Sequence, residues 1–285
     1  MVLEAIIGPA KAEKSPWELF LLGFLYATLG LFLAFFIFEK YASLVSVFLT
    51  VIASLVLFQK TLRFEEKKAM KTGDERKLMR EHSRALAFLM LMFIGFVAAY
   101  TIWYIVLPDR FIQTLFGVQT ETIVAINTGP SSTTSAISSS SALTGIFFNN
   151  FKVLLFSVLF AFFYGAGAMF ILTWNASVVG TAIGIFFRTE LAKVAKEVGA
   201  VTVAAYFATF SVSLLRYLTH GLFEILAYFM AALGAGIISI AVTRHDFGSE
   251  KFKQVLVDSL DLIILSILIL IFAALIEVFV TPVLF

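Results

Sequence analysis

The chain has 285 residues, 60% of them hydrophobic and only 14% charged, with a net charge of +2 and a mean hydropathy of +0.98. Soluble domains carry about 25% charged residues, so a chain this poor in charge cannot cover a soluble surface. The small net charge makes no case for a nucleic-acid partner, and the lack of cysteine excludes disulfides, thiolate metal sites and cysteine nucleophiles.

Residues 1–18 are short and mixed, with Lys11 and Lys14 ahead of Pro16 and with Trp17 as an interface anchor. The first apolar run, residues 19–38, has span length and no small-residue cleavage site after it, so it reads as a retained helix and not as a signal peptide. Glu39-Lys40-Tyr41 is a tight polar turn, and residues 42–58 return as a second span. Residues 59–84 then change character. Lys60, Arg63, Lys67, Lys68, Lys71, Arg76, Lys77, Arg80 and Arg84 stand among five acids, which places this loop and the N-terminus in the cytoplasm. The loop is either a solvated helical hairpin or a docking surface for a cytoplasmic partner or anionic lipid.

Residues 85–107 form the third span, closed by Pro108-Asp109-Arg110. The polar stretch 108–146 is rich in Ser and Thr between 131 and 141, cannot bury a core, and is expected as a mobile external loop. The apolar block 151–187 is too long for one crossing. Gly165-Ala166-Gly167 and Thr173-Trp174-Asn175 are expected to break it into a span at 151–173 and a re-entrant or interfacial helix at 175–187. Ala176, Gly180 and Gly184 recur every fourth position, the small-residue pattern that lets helices approach closely in lipid. A basic connector, 188–199, is expected inside; 201–218 and 222–242 read as two spans; 244–253 is a second basic connector; and 255–280 is the last span. The expected fold is therefore an all-α polytopic transmembrane bundle of about seven spans, with its N-terminal spans in residues 1–145 and a core in 146–285. It would be a multi-pass protein of the cell membrane, surrounded by lipid and assembled as a homo-oligomer.

Within the last core, three ionisable residues, Arg216, His220 and Glu224, are spaced four apart, with Gly221 between two of them. Ionisable groups at bilayer depth need partners or a purpose. On a continuous helix all three share a face. With Gly221 as a helix start, Glu224 instead falls at a capping position. Glu277, in the last span, either reaches an interface or pairs inside the bundle, with Arg216 and His220 as candidate partners. Asn149, Asn150 and Asn175 either satisfy carbonyls freed at helix breaks or line a central polar cavity. His82, His220 and His245 are far apart and form no metal-ligand spacing. No Walker A loop or paired-carboxylate metal motif is present, and no local pattern joins a Ser-His-Asp set. The expectation is a protein without cofactor, metal or enzymatic activity.

Three elements in residues 145–283 resemble those of the stage II sporulation protein M family. Asn149-Asn150 precedes a glycine-broken span, and Trp174-Asn175 with Gly180 follows it. His220-Gly221-Leu222-Phe223-Glu224-Ile225-Leu226-Ala227 resembles the family's His-Gly-x-x-Glu-x-x-Ala element. Ala273-Ala274-Leu275-Ile276-Glu277-Val278-Phe279-Val280-Thr281-Pro282 resembles its terminal Ala-x-x-x-Glu-x-x-x-Thr-Pro element. The resemblance implies a polytopic membrane protein, which sporulating bacteria use in an engulfment complex with peptidoglycan-degrading partners. Two functions are compatible with the residues: a permease or channel lined by broken helices around a His/Glu site, or a scaffold that recruits envelope-remodelling partners.

Overall fold

A computed structural model describes residues 8–71, 75–128, 139–162, 165–244 and 249–285. Among these residues the secondary structure is helical, with no strand. A four-residue helix, α1 (Pro9–Ala12), is followed by α2 (Pro16–Phe38), which opens on a proline whose missing N–H costs nothing in a first turn. A 3-10 turn at Glu39–Tyr41 reverses the chain into α3 (Ala42–Ala69). Then come α4 (Glu75–Val106), α5 (Asp109–Thr128), α6 (Ser139–Ala161), α7 (Ala166–Val198), α8 (Val203–Arg244) and α9 (Glu250–Leu275). A π-helical segment, Ile276–Val280, and a last turn, α10 (Thr281–Leu284), end the chain. Six stretches are long and apolar enough to cross a membrane, the first of them, Pro16–Ala69, holding both α2 and α3.

Small residues set the close approaches. A Cβ on Gly23 or Gly95 would run into the facing backbone at Met92 and Phe20, so α2 and α4 lie antiparallel and nearly in backbone contact. A Cβ on Gly180 would stand 2.7 Å from Tyr100 Cβ and 3.0 Å from the Val97 carbonyl oxygen, and one on Gly184 2.5 Å from the Tyr104 ring, so α7 lies close against α4 and parallel to it. Thr101 Oγ1 donates to the Gly180 carbonyl across this seam at 3.2 Å. The stripe Ala176, Gly180, Gly184 therefore packs on α4. Gly165 has φ of +74° and joins α6 to α7 where a side chain would meet Phe58 and Leu62; it alone of the expected breaks ends a helix. Gly167, one residue into α7, packs on Phe160.

Four expectations are corrected. First, residues 108–146 are not a structureless loop. Ile112, Leu115, Phe116 and Gln119 are buried at helical spacing along α5, and Gln119 ties α5 to α3 and α7 through Ser43 (2.5 Å) and Ser177 (3.3 Å). Residues 129–138, most of the Ser/Thr run, lie outside the described residues. Second, Thr173-Trp174-Asn175 breaks nothing: residues 175–187 are the middle of the continuous α7, and Asn175 Nδ2 donates back to the Ile171 carbonyl at 2.8 Å, holding to the helix it was expected to leave. Third, Gly221 lies inside α8, so 201–218 and 222–242 are one helix. At about 1.5 Å per residue α8 is roughly 63 Å long, and a continuous helix cannot cross twice.

The fourth correction concerns the connector 188–199. Arg188 pairs with Asp109 at 2.6 Å and donates to the carbonyls of Tyr104 and Leu107, each at 3.4 Å. It thus sits at the C-terminal end of α4, opposite the basic loop at α4's start. The two basic stretches therefore cannot both lie inside, and at this connector the charges have local partners: Arg188 covers the negative end of a helix, and Lys193 pairs with Glu190 at 2.6 Å. At the basic end, Leu62 packs on Gly236, so the α8–α9 connection lies there.

Candidate functional site

The polar residues singled out on α8 lie on one face, as a continuous helix requires. They face the C-terminal segment: α9 runs antiparallel to α8, with Gly234 beside Ser259 and the Phe223 and Phe272 rings 5.2 Å apart. This register brings Glu277 to Glu224, Thr281 to His220 and Phe285 to Arg216. The carboxyls of Glu224 and Glu277 lie within hydrogen-bonding reach of each other. Two carboxyls can share a hydrogen bond only if one of them carries a proton. Asn150 Nδ2 on α6 donates to Glu224 Oε1. The acids thus meet each other and an amide, while the expected cationic partners of Glu277 are engaged elsewhere.

His220 Nδ1 is 3.3 Å from Thr281 Oγ1, whose hydroxyl is placed to donate to the Ile276 carbonyl, also at 3.3 Å. A hydroxyl has one proton. If it goes to Ile276, Nδ1 must donate and Nε2 is left as the acceptor. Arg216 donates to the backbone oxygen of Phe285 at 3.3 Å and lies 5.0 Å from the centre of the Phe186 ring. Among the described residues it forms no ion pair. Glu277 itself stands in the π segment, and single π turns inside α-helices occur often at functional sites.

A cavity of about 290 Å³ adjoins Glu224, with Asn150, Asn175, Gly221, Tyr217 and Tyr228 also on its wall. A second hollow, about 870 Å³, lies between α3, α6 and α7 and shares Asn150 and Asn175 with the first; Asn149 faces only this one. Sequence reasoning missed Tyr217 and Tyr228. Tyr228 is four residues past Glu224, one helical turn, which is the signal that could have found it.

An all-helical chain with spans of membrane length and a polar cluster between them is an integral membrane helix bundle. The model of the family described as Stage II sporulation protein M matches residues 84–282. The chain belongs to that family, and the match takes in most of α4 and all of α5, upstream of the motifs around Asn149, His220 and Glu277. The chain matches no curated protein and no solved structure.

Proposed function

We propose that this chain is a permease- or channel-type bundle of the cell membrane, in which Glu224 and Glu277 take up and release a proton in step with movement of an ion or solute. The observation that supports the reading is the facing of the two acids, with Glu224 on the wall of a cavity and, among the described residues, Asn150 as the amide that donates to it. Two carboxyls held together out of water cannot both stay ionised at low cost, so such a pair exchanges protons with whatever enters. The premise of broken helices falls away with the continuity of α7 and α8. In this reading the bundle crosses seven times, through α2, α3, α4, α6, α7, α8 and α9, with the N-terminus cytoplasmic. It works without cofactor or enzymatic chemistry, among lipid and as a homo-oligomer, and binds no nucleic acid. Proteoliposomes test it: wild type should acidify the lumen when a potential is imposed, and Glu224→Gln should abolish this. Wild-type flux no greater than that of protein-free vesicles would end the reading.

A second reading is a scaffold. Lys60, Arg63, Lys67 and Lys71 are exposed on one side of the cytoplasmic end of α3 and just beyond it, near helical spacing, while Glu65 and Glu66 point inward and are buried. Such a stripe suits an acidic partner. Arg63→Glu with Lys67→Glu should then release a co-purifying protein while leaving flux unchanged; retention of that protein would remove the scaffold reading.

A further inference from the structure

The larger hollow has walls of one kind and a rim of another. Phe48 on α3 and Phe170 on α7 meet at 4.7 Å across its floor, and Phe156, Phe160 and Trp174 continue the apolar lining. Phe156 and Phe160 stack at 6.2 Å on α6, and both are exposed. Lys152 stands on the same helix, in the middle of the apolar stretch Ser140–Ala161. It is exposed and makes no hydrogen bond or ion pair among the described residues. Asn149 lies one turn above it on the same rim. Among the described residues no aspartate or glutamate lines the hollow.

A lone ammonium in an apolar span is expensive unless an anion or water meets it. Long lysine stems can carry the charge toward an interface. Helical side chains lean toward the helix N-terminus, so the head of Lys152 leans toward the start of α6, at the end holding Asp109 and Ser43, while Phe156 and Phe160 lie one and two turns the other way. A ligand that satisfies both needs an anionic head at Lys152 and Asn149 and hydrocarbon along Phe48, Phe156 and Phe170. The geometry points to a binding site for an anionic phospholipid of the leaflet opposite the basic loop, with its phosphate on Lys152. The site does not depend on the transport reading, although Asn150 and Asn175 form a wall common to both hollows.

Native mass spectrometry of the purified chain in detergent tests this, with phosphatidylglycerol and phosphatidylcholine of equal chain length. Wild type should retain phosphatidylglycerol preferentially. Lys152→Gln should weaken that retention roughly tenfold, the loss expected for one charge-assisted contact, and Lys152→Arg should restore most of it, which separates the effect from misfolding. Equal retention of the two lipids, or of phosphatidylglycerol by wild type and Lys152→Gln, would overturn the proposal. Competition by glycerol 1-phosphate at equal concentration would overturn it in favour of a bare anion site. Disulfide capture between copies carrying Phe156→Cys in membranes would overturn it in favour of a second copy lying in the hollow.

Discussion

Two polar clusters sit at different heights in this bundle, and they treat charge in opposite ways. At the basic end, Lys68 Nζ reaches Glu13 at 2.5 Å, Glu65 at 2.9 Å and Glu81 at 3.4 Å, and Glu65 turns its other oxygen to His82 at 2.7 Å. Each acid there has a base, and Glu65 and His82 are fully buried. In the membrane, Glu224 meets Glu277 and an amide, His220 meets a hydroxyl, and Arg216 meets a carbonyl and a ring. The first cluster joins α1, α3 and α4 and sets its acids against basic side chains, as a structural clamp needs. The second leaves its acids matched to each other. A mismatch held between packed helices is a poor way to gain stability and a good way to keep a proton exchangeable.

That contrast can be broken by experiment. The largest expected effect is at the clamp. Glu65→Ala removes the carboxylate bonded to buried His82 and one of the three that meet Lys68, and losing a buried hydrogen bond to a charged group costs about 1.5–3 kcal/mol; the melting temperature in detergent should fall sharply. A fall no larger than that of an exposed-site change would mean the clamp is decorative. Next comes a control that touches no charge. Gly180→Leu drives a side chain into Tyr100 and Val97, and overpacking should cost about 1–3 kcal/mol; unchanged thermal stability would show that the α4–α7 seam is looser than its distances. Smaller still is Thr281→Val, which deletes the one hydroxyl on His220 at about 0.5–1.5 kcal/mol. A larger loss would mean that His220 also depends on that contact for its place in the bundle. The smallest effect on stability belongs to Glu224→Gln. An amide can still bond Glu277 and removes acid facing acid, so unfolding should be unchanged or slightly harder, while flux is lost. If the variant is instead as unstable as Glu65→Ala, the two clusters are of one kind and the distinction fails.

Much of this was legible in the residues. The apolar runs gave the bundle, and the elements around His220 and Glu277 gave the family. The small-residue stripe at Ala176, Gly180 and Gly184 gave a face that does pack closely. Two of the expectations fail for one reason: polar or small residues do not break these long helices. Gly221 is tolerated because a helix flanked by long apolar runs keeps its hydrogen bonds across a single glycine, and nothing lies within 4 Å of where its side chain would be. Asn175 stays helical by bonding its own turn. The polar start of α5 hid the period of Ile112, Leu115, Phe116 and Gln119. The meeting of Glu224 with Glu277 was beyond the sequence, because it depends on the register of α9 against α8, which side-chain packing sets. Reading Arg216 and His220 as partners of Glu277 followed charge alone and lacked that register.

The π segment has a mechanical consequence. Its five residues carry one more residue in the turn than an α-helix would, and Thr281 donates to Ile276 at that wider spacing. Rewinding it by one residue to α geometry would rotate everything beyond it by about 100°. Glu277 lies within the turn and Thr281 just after it, so a single exchange of a backbone bond would swing Thr281 from His220 and shift the acid against Glu224. The C-terminal segment is thereby wound like a ratchet with one spare tooth. The rigid α8 supplies the fixed stripe against which that tooth would click.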